Sequence, residues 1–132
     1  MIPPKDSAVR FMLCDEVRLE HGNKLAILGF FPGGGVNLPT NKDGEPEAVP
    51  ALTFIFLIED GEGQFEATFQ INDEAENTLF ASDIGLIQKN IGIPAVAVVR
   101  VAPFKSKIWG LHSANIYLSG RRYTKEFNLS PA

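Results

Sequence analysis

Apolar and polar residues alternate without a break from Gln64 to Asn72. Phe65, Ala67, Phe69 and Ile71 make one set, and Gln64, Glu66, Thr68, Gln70 and Asn72 make the other. A period of two puts one set on a core and the other in water, which predicts a strand with one buried face. Just before it, Leu52 to Ile58 is almost continuously apolar and rich in Phe and Ile. The acidic, glycine-containing Glu59-Asp60-Gly61-Glu62-Gly63 joins the two, and the pair reads as a β-hairpin.

The same signals recur on both sides. Ala8 to Leu13 predicts a strand. Val17 to Glu20 alternates, His21-Gly22-Asn23 supplies turn residues, and Leu25 to Phe31 resumes as an apolar strand, so a second hairpin is expected there. Ala95 to Val101 is dense in Val, Ala114 to Leu118 alternates, and Ser119-Gly120 suits a tight turn into Tyr123 to Phe127. Helical periodicity is weak throughout. The best helical stretch, Asp83 to Asn90, is short and contains Gly85, and no helix is assigned to it.

Many short strands without interleaved helices predict an all-β fold, an antiparallel β-sandwich of about 7–9 strands with Greek-key or immunoglobulin/C2-like topology. One domain covers residues 1–132, with 1–7 expected to be flexible. Residues 32–51 (PGGGVNLPTNKDGEPEAVPA) are rich in Gly and Pro and read as a long loop. Val36 to Leu38 is expected as a short edge strand within it, and Asn41 to Val49 as mobile. Leu25 to Phe31 and Leu52 to Ile58 are apolar on both faces, so the outer face of each needs a cover, from a loop, another strand or another subunit.

Composition narrows the functional classes. The chain has 132 residues, 45% hydrophobic and 21% charged, which is ordinary globular composition. A net charge of -4 argues against nucleic acid as a partner, because phosphate neutralisation needs clustered Lys and Arg, and the densest cluster is Arg121, Arg122 and Lys125. No apolar run approaches the roughly 20 residues of a membrane helix, so no membrane span is expected. The opening MIPPKD lacks the basic-then-apolar order of a signal peptide. The single cysteine, Cys14, has no disulfide partner and lies in an apolar run, where a free thiol packs as a small hydrophobe. Together these predict a cytoplasmic protein.

The residues from Phe11 to Arg18 (FMLCDEVR), then Gly22 to Leu25 (GNKL) and Ile27 to Phe31 (ILGFF), resemble the opening of an uncharacterised bacterial family. Its members begin with a pattern of the form LCD-x-VR followed by GKL-x-LIG and an aromatic. The resemblance continues through Leu52 to Glu59, the alternating stretch to Asn72, and Pro103-Phe104. This chain has Glu16 where the family favours a second Asp, and Ala26 where it favours Ser. The resemblance implies a small, cytoplasmic β-domain of unknown function, and brings no catalytic role for any residue.

Several positions invite chemistry and are weighed against plainer roles. Asp15, Glu16 and Arg18 could bind a polar ligand; the plain reading is a turn after the first strand carrying a surface ion pair, worth about 0–1 kcal/mol. Asp60, Glu62, Asp73, Glu74 and Glu76 could supply oxygens to calcium if their loops met, although no calcium-loop spacing is present. Gly33-Gly34-Gly35 lacks the following helix and the Lys and Ser/Thr of a phosphate cradle. His21 and His112 are expected in turns or at the surface, and Ser113 beside His112 is no sign of a triad because neighbours on a strand face opposite ways. Trp109 and Phe104 flank Lys105-Ser106-Lys107, where aromatics could hold a sugar or a partner, with a core role the expected alternative.

No nucleophile, base and orienter can be assembled from these positions, so no catalytic residue, metal or cofactor is expected. The function expected is a non-catalytic protein-interaction or structural module, paired with itself or with an unidentified protein through an apolar face or edge strand around Phe30, Phe31 and Val36. Calcium or carbohydrate binding at the loops is the alternative.

Overall fold

Whether an apolar strand belongs at the centre or the edge of a sheet depends on how many of its faces must be hidden, and this sorts the chain. The computed structural model, covering Met1–Ala132, holds nine strands: β1 (Val9–Leu19), β2 (Leu25–Phe30), β3 (Gly35–Leu38), β4 (Leu52–Ile58), β5 (Gly63–Asp73), β6 (Thr78–Lys89), β7 (Ala95–Val101), β8 (Gly110–Leu118) and β9 (Arg121–Pro131). They form a four-stranded sheet in the order β2-β1-β4-β7 and a five-stranded sheet in the order β3-β9-β8-β5-β6. The fold is the all-β sandwich that the patterning predicts. One pair departs from antiparallel order: β3 runs parallel to β9. The chain reaches β3 by crossing from the first sheet to the second through Phe31–Gly34, so it enters beside β9 already travelling in the same direction.

The core lies between the sheets and is built from their period-two faces. Phe65, Ala67, Phe69 and Ile71 of β5 are buried, as are Ala97, Val99 and Val101 of β7 and Tyr123, Phe127 and Leu129 of β9. Phenylalanines interlock across the layers: Phe54 of β4 lies 5.2 Å from Phe69 and 5.5 Å from Phe127, and Phe56 lies 5.8 Å from Phe69, ring centre to ring centre. The tilted and edge-on geometries are those aromatic pairs favour.

The expected hairpin between Leu52–Ile58 and Gln64–Asn72 is not formed. β4 pairs with β1 and β7, whereas β5 pairs with β6 and β8, so Glu59–Gly63 is a corner from one sheet to the other. The reason is the apolar content of β4, which suits the middle of a sheet, and the bulk of Phe54 and Phe56, which fill space opposite Phe69 rather than beside it. Gly61 makes the corner possible. Its φ is +91°, and a Cβ there would stand 2.8 Å from the Ile2 carbonyl oxygen.

Other boundaries also shift. The two expected strands before His21 are one, since β1 runs unbroken through Asp15 and Glu16, which are therefore not in a turn. Asp83 to Asn90, the weak helical stretch, lies mostly in β6. The β8–β9 turn is as expected, with Ser119 at φ 48° and Gly120 at φ 87°, the two successive left-handed residues of the tightest hairpins.

The two segments expected to be loose are tied to the body. Ile2 pairs with Glu62, the Lys5 amide donates to Asp60 Oδ1 at 3.0 Å, and the Tyr123 hydroxyl donates to the Pro4 carbonyl at 2.6 Å. In the long loop, Val36–Leu38 lies in the edge strand β3 as expected, Asn41 Oδ1 accepts from the amides of Asp43 and Glu45, and Val49 pairs with Phe104. Gly/Pro-rich composition signals turns, and here the turns are fastened by hydrogen bonds composition does not reveal.

Tyr123 offers a check on the N-terminal strap. Its pKa is raised above the ordinary 10.0, first by burial, with Arg121 opposing and Asp6 and Asp60 adding to the rise. A raised folded-state value favours the protonated fold below the unfolded value, and that contribution is lost as pH climbs through the folded value. Thermal melts from pH 7 to 11 should therefore show a loss of stability above about pH 10 that Tyr123→Phe reduces. At pH 7 the same substitution, which orphans the Pro4 carbonyl, should cost about 1–3 kcal/mol.

Candidate functional site

Strand directions place the loops with chemical content at one end of the sandwich. β1, β5, β7 and β9 run toward that end, and β4, β6 and β8 start from it. It carries the long loop, the β5–β6 turn, the β7–β8 loop and the tip of β1. The opposite end holds the Glu59–Gly63 corner, the β8–β9 turn and the N-terminal strap.

The tip of β1 leaves the sheet. Its pairing with β4 stops at Cys14 opposite Thr53, and its pairing with β2 runs from Cys14 opposite Phe30 to Leu19 opposite Leu25. Residues Asp15–Leu19 and Leu25–Gly29 therefore pair only with each other, forming a two-stranded ribbon that reaches about 15 Å beyond the last shared pair at the rise of a strand. Its apolar residues are uncovered: Leu19 is 74% exposed, Phe30 51%, Leu25 and Leu28 39%, and Ile27 37%. Gly22 and Asn23 close its tip at φ 76° and 59°, and the Glu20 amide donates to the Lys24 carbonyl at 2.7 Å.

The ribbon lacks the usual protections of a free edge. Natural edge strands carry charges, proline or strong bulges, yet β2 reads Leu-Ala-Ile-Leu-Gly-Phe with no charge and no proline. Gly29 alone departs from regular geometry, at φ +67°, and the Asp15 carboxylate occupies the place where a Cβ would stand. A two-stranded ribbon is marginally stable by itself in water, and this one is held only where β1 continues into the sheet.

The residues singled out in the sequence separate on this frame. Phe30 is on the ribbon and exposed. Phe31 is half-buried against the core, and Val36 is fully buried in it, so neither joins Phe30 in an interaction surface. For Val36 the cause is β3 lying on β9, which turns the side chain inward beside Leu129. Glu16 and Arg18 form the expected exposed ion pair at 3.6 Å along one face of the ribbon. Asp15 and Glu16 line a shallow hollow of about 390 Å³ with Val49, Pro50, Ala51 and Arg100; Arg18 takes no part in it.

The acids proposed for calcium do not converge. Asp60 and Glu62 lie at one end of β5 and Asp73, Glu74 and Glu76 at the other, some 30 Å apart along an 11-residue strand. The Asp73 carboxylate is already occupied by the amide and side-chain nitrogen of Asn77, at 2.9 and 3.2 Å. No three His, Cys, Asp or Glu side chains form a group that could hold a metal ion. Trp109 is half-buried, and its indole N–H donates to the Gly44 carbonyl at 3.0 Å, which fastens the long loop rather than offering a free stacking face with a free donor.

Between the long loop, the β5–β6 turn and the β7–β8 loop lies a cleft of about 750 Å³, lined by Asn41, Glu45, Asp73, Asn77, Lys105, Ser106 and Lys107 among others. Behind its wall is the other departure from expectation. His112 is not at the surface; it is 1% exposed, packed 5.3 Å from Phe127, because it continues the inward row of Ala114, Ile116 and Leu118 on β8. Its Nε2 lies 2.7 Å from Ser106 Oγ, and its Nδ1 lies 2.9 Å from the Gly110 carbonyl oxygen. Sequence reasoning considered Ser113, the chain neighbour, and missed Ser106, which the β7–β8 loop folds back onto the ring. The inward row itself was a readable signal for His112; nothing local announced Ser106.

No helix is long and apolar enough to cross a membrane. No protein-family model matches the chain, and no curated protein matches it either. The family resemblance of the opening therefore rests on those residues alone.

Cys14 stands at the root of the ribbon, fully buried, with its thiol 3.6 Å from the Glu16 carbonyl. Burial raises its pKa above the ordinary 9.0, the hydrogen bond to Glu16 opposes this, and the Asp15 charge adds to it. At pH 8 a thiol reagent such as a disulfide dye should modify the native protein at least about 100-fold more slowly than the urea-unfolded chain, since the thiolate is both scarce and enclosed. Equal rates would mean that the root of the ribbon opens freely.

Proposed function

We propose that the protein is a self-associating interaction module whose ribbon pairs with the ribbon of a second copy. The observation that carries this is the unguarded, one-sided strand β2, in which exposed apolar residues and an open backbone edge coincide. A third strand satisfies both needs at once, by taking up the free amides and carbonyls and by covering the side chains.

A second copy fits better than an arbitrary partner for a physical reason. Antiparallel pairing of β2 with itself about a two-fold axis sets one uncharged strand against an identical one, so no like charges are opposed, as they would be in most self-pairings. The two-fold closes on itself and uses the β2 edge of each copy once, which yields a dimer rather than a fibre. The two four-stranded sheets then join into one of eight. The apolar outer face of the same sheet, with Val96 45% and Val98 41% exposed, extends the surface available to a partner.

The rest of the expected picture accompanies this reading: a cytoplasmic protein with no nucleic-acid partner, supported by one unpaired cysteine and a net charge of -4. Sedimentation should show a concentration-dependent dimer. Ile27→Lys, which places a charge on the pairing strand, should weaken dimerisation at least about tenfold, equivalent to roughly 1.4 kcal/mol, while leaving the melt of the body unchanged. A monomer at every workable concentration, or a dimer indifferent to Ile27→Lys, would rule the proposal out.

A further inference from the structure

We propose that Ser106 is a nucleophile with His112 as its general base, and that the end cleft accepts small carboxylic esters. The inference is independent of self-association and runs against the sequence-based expectation of no catalytic residue. The Gly110 carbonyl can only accept a hydrogen bond, so its 2.9 Å contact with His112 Nδ1 requires the ring proton to be there. In the neutral ring Nε2 then holds a lone pair, and the 2.7 Å contact is the Ser106 hydroxyl donating into it. A base within hydrogen-bond reach of a hydroxyl, itself oriented by a third group, is the arrangement that activates serine.

Placement supports the roles. His112 is 1% exposed and clasped against Phe127, so the ring is fixed; Ser106 is 8% exposed and forms part of the cleft wall. Ser106 Oγ also accepts from the Ile108 amide at 3.4 Å, which holds the β7–β8 loop in a tight turn; the Ile108 carbonyl, 3.2 Å away, competes with Nε2 for the single hydroxyl proton, and the shorter contact is the one to Nε2. Lys105 and Lys107, the residues on either side, line the same cleft, and neither is in an ion pair. Glu45 and Asp73 line it too, so the cleft carries both signs, and the lysines are the cations available to face the charge that develops on an ester carbonyl oxygen.

The step balances without a further reagent. Ser106 Oγ bonds to the ester carbonyl carbon as its proton passes to His112 Nε2. The bond from that carbon to the alcohol oxygen breaks, and the departing alcohol takes the proton from Nε2. Water then attacks the acyl-serine by the same route, releasing the acid and restoring the Ser106 hydroxyl.

The test is covalent labelling of the native full-length protein with a fluorophosphonate, read by intact mass and peptide mapping. One adduct is expected, on Ser106, absent from Ser106→Ala and from the denatured chain. His112→Gln should slow labelling by about 100-fold, the lower range of what a positioned general base contributes. Lys105→Ala with Lys107→Ala should slow hydrolysis of a small nitrophenyl ester. No adduct on the native protein, an adduct on another residue, or unchanged labelling in a His112→Gln variant that melts like the parent each overturns the proposal. If His112→Gln does not fold, the comparison of native with denatured parent protein decides.

Discussion

The arrangement of this molecule depends on where β1 stops being supported. Its first half has β4 alongside, and that pairing stops at Cys14 opposite Thr53. Thr53 marks the limit physically, because its hydroxyl donates to the Asp15 carbonyl at 3.1 Å and takes an acceptor that would otherwise ask for a neighbouring strand. Past that point only β2 remains beside β1. The sandwich is closed around its phenylalanines, but the ribbon is not, and the self-pairing proposed here follows from that imbalance rather than from any special motif.

The core explains why the chain accepts an open ribbon at all. Phe54 and Phe56 from one sheet interlock with Phe69 and Phe127 from the other, removing one such ring typically costs about 3–5 kcal/mol, and none of these rings belongs to the ribbon. The corner at Glu59–Gly63 makes that interlock possible by sending β4 and β5 into different layers. The N-terminal strap then seals the same end through Tyr123 and Pro4. The opposite end is left for the ribbon and the cleft.

Much of this was legible in the residues, and the gaps have causes. Period-two alternation identified β5 and β8, and turn residues placed the β8–β9 turn and β9 after it, because local sterics decide both. Apolar content on both faces of Leu25–Phe31 and Leu52–Ile58 correctly flagged a problem of cover, but could not distinguish its two solutions. β4 is buried between neighbours; β2 is not. Pairing across sheets, which overturned the expected hairpin and buried Val36, is a long-range choice that no local pattern records. The same holds for the cleft. His112 was readable as an inward position from Ala114, Ile116 and Leu118, whereas its partner Ser106 comes from a loop whose path is set by Val49 pairing with Phe104.

The central claim is that β2 finds its missing neighbour in another copy of the chain, and amide hydrogen exchange followed across protein concentration tests it most directly. Leu25–Phe30 should exchange slowly in concentrated solution and much faster on dilution, while β4 and β5 keep the same protection throughout. Exchange at Leu25–Phe30 that is equally fast at every concentration would contradict it, because the edge would then be open whether or not a second copy is present.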